Sequence, residues 1–150
     1  MEAVRMNKKI VSALLIIMII MCGAGNVIGA TNETKTKYLN STYGTMKAVL
    51  SGYQRNYPSA NYKGINYATE TKKTVPVIIA QCGITKMGTG EVISPGYPYE
   101  YEEEYNTDYA GYYWETQTEE QYQYTYVGYG AHEVRDDYSA WGLYTSCQTP

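Results

Sequence analysis

His132 is the only histidine in the 150-residue chain, so Ser/His/Asp or Cys/His chemistry would have to pass through it. An imidazole acts as a general base when a carboxylate fixes its second nitrogen. Glu133, Asp136 and Asp137 stand close enough in sequence to be that orienter. No G-x-S-x-G elbow accompanies them. The residues therefore favour a strand histidine bonded to a carboxylate or a tyrosine hydroxyl, with a hydrolase using His132 as the lesser alternative. One imidazole beside cysteines expected to be oxidised does not make a closed zinc set. No cofactor is implied.

Glu100, Glu102, Glu103, Glu104 and Asp108 form the densest acidic run. Carboxylate oxygens suit calcium, which makes these five weak calcium candidates. The D-x-[DN]-x-[DN]-G spacing is absent, and a run of glutamates is ordinarily a solvated face. Such a run also attracts cationic partners. Glycoside hydrolysis needs two carboxylates across a cleft, and an acid-rich chain supplies such pairs without specificity.

The same run is interleaved with Tyr97, Tyr99, Tyr101, Tyr105 and Tyr109, and Tyr112, Tyr113 and Trp114 follow. An aromatic ring with a polar tip offers a flat apolar face and a hydrogen bond together. Tyrosine also supplies contact area at low entropy cost. These eight residues are the ligand-binding candidates, with Trp114 as the platform on which a sugar ring would stack. Trp141, near Cys147, is expected in the core.

Several features indicate where such a surface would work. Arg5, Lys8 and Lys9 precede an apolar run from Ile10 to Met21, broken only by Ser12. About a dozen apolar residues suit a signal peptide and fall short of the roughly 20 that span a bilayer. Ile28-Gly29-Ala30 offers a cleavage pattern after Ala30. Extending the apolar run to Ala30 would make an uncleaved anchor, but glycines and Asn26 interrupt it. Cys22 would be the acylated residue of a lipoprotein, but Met21 is a poor residue before it. The sequence thus points to a secreted or cell-surface protein that meets the membrane only during export.

Removal of residues 1–30 takes away Glu2, Arg5, Lys8 and Lys9, leaving 9 basic and 14 acidic residues, a net charge of −5. That sign disfavours nucleic acid and anionic lipid as partners. All 19 tyrosines lie beyond residue 30, and phenylalanine is absent. Tyr and Thr favour strands. Cys82 and Cys147 are the two cysteines left, and an even pair in an exported chain predicts a disulfide. Its loop would stabilise the fold by about 4 kcal/mol in the chain-entropy picture.

The elements that must carry these residues read as short strands. Residues 31–42 are polar and predict a flexible tail before a single domain at 43–150. Met46, Ala48 and Leu50 share one face of a first strand, and Asn61 to Thr69 forms a second. Lys73 to Ile84 is apolar on both faces and predicts a central strand, with Pro76 near its start. Glu91 to Ser94 is a short return strand. Pro95, Gly96 and Pro98 then open a Tyr/Glu-rich loop or hairpin at 94–121, its tip at the glutamates. Tyr122, Tyr124 and Tyr126 alternate with polar residues, as do His132 and Val134.

The sum is an all-β chain of about seven or eight strands: a small antiparallel β-sandwich or partly open barrel after a signal peptide. The leading functional expectation is a non-enzymatic extracellular protein binding carbohydrate or protein through its Tyr/Glu surface. The alternative is a secreted toxin or bacteriocin-like effector.

Overall fold

Alternation of inward and outward side chains governs most of the chain. A computed structural model describes residues 31–58, 60–93 and 100–150, and the side chains of all these except Glu100 and Tyr101. The expected leader, Tyr97 and Tyr99 lie outside the described residues. The elements are β1 (Asn32–Asn40), β2 (Gly44–Asn56), β3 (Asn61–Lys86), β4 (Glu100–Glu115), one helical turn α1 (Glu119–Tyr122), β5 (Tyr126–Arg135) and β6 (Ala140–Gln148).

The all-β expectation holds. Among the described residues the strands number six and form one nearly closed antiparallel sheet in the order β1-β2-β3-β5-β6, with β4 also paired to β3. Seven or eight strands shrink to six for local reasons. The two strands expected at 61–69 and 73–84 are one strand, β3. Of the return strand expected at 91–94, the described residues 91–93 make one bridge, Thr85 to Val92.

β3 organises the molecule. Each half carries β4 on one edge, while the other edge pairs with β2 first and then with β5. Between the halves, Glu70 pairs with Tyr109 and Val75 with Thr107, so β3 takes three more residues than β4. An odd insertion reverses which side chains face inward, and bulges bend strands. Ile65, Tyr67 and Thr69 point into the core before the bulge; Ile78, Ala80, Cys82 and Ile84 do so after it. Pairing passes over Pro76, which has no N–H to give, and over Asn106, whose φ is +52°.

The core matches the expected periodicity of β2, with Met46, Ala48 and Leu50 fully buried. It continues through Ile65, Tyr67, Ile78, Ile84, Trp114, Tyr126 and Val134. Trp141 is partly buried against it, its ring set edge-on to Tyr43 with centroids 6.0 Å apart.

Residues 31–42 are no loose tail, since Asn32–Asn40 forms β1, paired to β2. Its polar residues close the sheet. Thr31 N–H donates to the Gln148 carbonyl at 3.0 Å, and Gln148 N–H donates to Thr31 Oγ1 at 2.8 Å. Lys35 Nζ donates to the Tyr144 carbonyl at 2.7 Å and Lys37 Nζ to the Gly142 carbonyl at 3.2 Å. Ser146 N–H donates to Glu33 Oε2 at 2.6 Å. The seam between β1 and β6 is thus made largely by side chains. Gly52 permits it, because a Cβ there would lie 2.0 Å from the Gln148 carbonyl oxygen.

The strand expected at Tyr122–Tyr126 is replaced by α1 and a turn, and β5 begins only at Tyr126. Thr118 caps α1, its Oγ1 accepting from Gln121 N–H at 3.2 Å. Lys63 Nζ holds the turn by donating to the Tyr124 carbonyl at 3.1 Å, and it lies 5.3 Å from the Tyr122 ring centre. Burial lowers the pKa of that ammonium.

Candidate functional site

Two places gather chemistry-bearing side chains: the interior around His132, and the outward strand β4.

The alternation of β5 points His132 inward, where it is 1% exposed. Nδ1 lies 2.9 Å from Thr69 Oγ1 and Nε2 lies 2.8 Å from Thr145 Oγ1. Thr69 uses its one hydroxyl hydrogen on the Ile79 carbonyl at 2.6 Å. Its oxygen must therefore accept from His132, which places the proton on Nδ1 and leaves Nε2 to accept from Thr145. Burial pushes the imidazole down to about 4, so it is neutral at ordinary pH. Gly130 makes the room: a Cβ there would fall 2.6 Å from His132 Nε2. The ring is bonded to two threonines, not to the expected carboxylate or tyrosine. Glu133 points the other way, towards Arg135.

Cys82 and Cys147 are buried thiols, and the expected disulfide does not join them. The register gives the reason. Cys82 pairs with Gly130 and Cys147 with Gly128, so β5 runs between them. Two strand spacings are roughly 10 Å, beyond the reach of a disulfide. Burial pushes the Cys147 thiol up to about 12, which keeps it protonated and unreactive.

β4 is the other place. Among the described residues it pairs with β3 alone, so one of its edges is open over 16 residues. It carries six carboxylates and no Lys, Arg or His. The glutamates are part of the strand, not the tip of a hairpin. Glu102 and Glu104 share the face of Ala80 and Ile78, while Glu103 shares the opposite face with Ile79. Alternation thus sets Glu103 apart from Glu102 and Glu104, and among the described residues no three acids, histidines or cysteines converge on a metal position.

The acids differ in their partners. Glu103 accepts from Arg135 at 3.2 Å, and the Tyr105 hydroxyl donates to its other oxygen. That contact raises the Tyr105 pKa. Glu115 meets Arg55 at 2.5 Å and accepts from the Tyr53 hydroxyl at 2.8 Å. Burial pushes Tyr53 up to about 12. Glu102, Glu104 and Asp108 face no cation among the described residues. Partial burial, with the neighbouring Glu104 second, raises the Glu102 pKa.

The aromatic candidates also divide. Tyr105, Tyr109, Tyr112 and Tyr113 are exposed, at 47% or more. Tyr112 and Tyr113 stack with centroids 5.3 Å apart and planes 24° from parallel. Trp114 is no platform. It is 5% exposed and sits edge-on to Tyr126 at 4.8 Å, because its parity on β4 places it opposite Ile65 on the core side. Tyr101 occupies a β4 position opposite Gln81.

Sequence reasoning missed Thr69 and Thr145 around His132, and the arginines that neutralise Glu103 and Glu115. All depend on pairing between distant segments, and the only local signal was the inward parity of His132. Comparison with known proteins gives no match: no family model fits the chain, and neither a curated protein nor a solved structure is similar to it.

Proposed function

We propose that this is an extracellular, non-enzymatic binding protein whose β4 surface holds a cationic partner. One observation carries the reading: a strand with an unpaired edge bears carboxylates without cations, Glu102 and Glu104, on one face and the exposed Tyr105 on the other. Opposite charge steers a partner to such a surface and fixes its register. Tyrosine rings add apolar contact and hydrogen-bonding tips. The N-terminal leader supports an extracellular setting. His132 has no part in the reading, because its ring is taken up by two interior hydroxyls.

The reading separates a cationic protein ligand from a neutral carbohydrate. A lysine-rich peptide should bind the protein, and rising salt should weaken that binding. The double variant Glu102→Lys/Glu104→Lys should lose at least about tenfold in affinity, or 1.4 kcal/mol. Undiminished binding in the variant, or stronger binding to an uncharged oligosaccharide than to the peptide, would sink it.

A further inference from the structure

We infer that the cationic partner is an extended polypeptide segment that adds to β4 as a further strand, along the stretch from Glu102 to Tyr109. This rests on the reading of β4 as a binding surface and specifies how the partner is held.

An unpaired strand edge presents a row of backbone N–H and C=O groups, and an incoming chain can complete the ladder. β4 is such an edge, because its described pairing is to β3 alone. Its charge selects the occupant. Glu102 and Glu104 sit two residues apart and so share a face. A strand with Lys or Arg at alternate positions would set cations directly beside them, the favourable cross-strand arrangement. A second copy of β4 would instead set carboxylate against carboxylate. The Glu102 carboxyl already titrates high, partly because Glu104 is so near.

The tyrosine stack sets the far limit. Adjacent strand residues point to opposite faces, so Tyr112 and Tyr113 would ordinarily be kept apart by the strand itself. Their rings meet at 5.3 Å. They can do so only by leaning round an edge of β4, and the β3 edge is occupied, with Tyr112 opposite Tyr67 and Tyr113 opposite Asn66. The stacked pair therefore covers the open edge at 112–113. Beyond it, Glu115 is already neutralised by Arg55. What remains is an acidic edge of roughly 25 Å at about 3.3 Å per residue.

The test uses the full-length protein and two probes: an alternating Lys–Thr octapeptide, and its counterpart N-methylated at every residue. The charges are the same, but the second peptide has no amide N–H to donate. The unmodified peptide should bind at least about tenfold more tightly, and should slow hydrogen exchange at the outward amides between 102 and 109. In Tyr112→Ser/Tyr113→Ser the slowed stretch should extend through 113. Equal affinity of the two peptides without slowed exchange in β4 would overturn strand addition and leave side-chain capture of a cation standing. No binding by either peptide would overturn strand addition and the cationic-partner reading together. Protection of β4 without peptide, rising with protein concentration, would assign the edge to a second copy and overturn the inference.

Discussion

A neutral ring held between two hydroxyls makes His132 the residue most sensitive to acid. In the unfolded chain it titrates near 6.5, and in the fold near 4. The unfolded state therefore binds the proton more readily, and its population gains as pH falls through that window. The stability His132 contributes is complete above about pH 6.5 and declines until about pH 4, by about 3 kcal/mol in all. Glu102 and Glu133 titrate high in the fold, so acidification favours the folded state through them. Urea unfolding at pH 7 and pH 4 should show a steeper loss in the wild type than in His132→Gln, the difference isolating the ring. Equal slopes would show that His132 does not govern the acid response. The two core thiols give a second expectation. A maleimide should label neither Cys82 nor Cys147 in the native protein and both in denaturant without reductant. Failure to label after denaturation would mean that they are oxidised.

At the scale of elements, β4 joins an inward residue to outward ones in a single strand. Trp114→Ala should cost about 3–5 kcal/mol through the cavity it leaves, while Tyr109→Ser should stay within about 0.5 kcal/mol; chemical denaturation measures both. β2 was legible because Met46, Ala48 and Leu50 keep an unbroken period of two. β5 was legible through His132 and Val134 for the same reason. β3 was not legible as one strand, because Thr71–Thr74 and Pro76 carry the composition of a break where the chain makes a bulge. β1 was hidden by its polarity, since its lysines reach across to carbonyls instead of entering the core. Tyr122 and Tyr124 imitated a strand, but a Thr118 cap and the Lys63 ammonium hold that segment as a turn. The Tyr/Glu surface was visible as composition. Which of its acids keep no cation depended on Arg135 and Arg55, placed there by pairings that no local pattern encodes.

Over the described residues the molecule is a sheet whose first and last strands meet. Glu33→Ala should loosen that junction and speed hydrogen exchange at Ser146 ahead of the amides of β3; uniform change across the sheet would mean that the junction does not open by itself. Thr31 and Gln148 are 117 residues apart in sequence, so bringing them together costs about 4 kcal/mol of chain entropy. A growing chain can pair β1 with β2 early, but the second edge of β1 has no partner until β6 is made. The sheet therefore cannot close until the β6 segment is available, however early its other strands pair. A chain stopped after Asp137 should stay without the near-ultraviolet dichroism of packed tyrosines, however long it is left to fold.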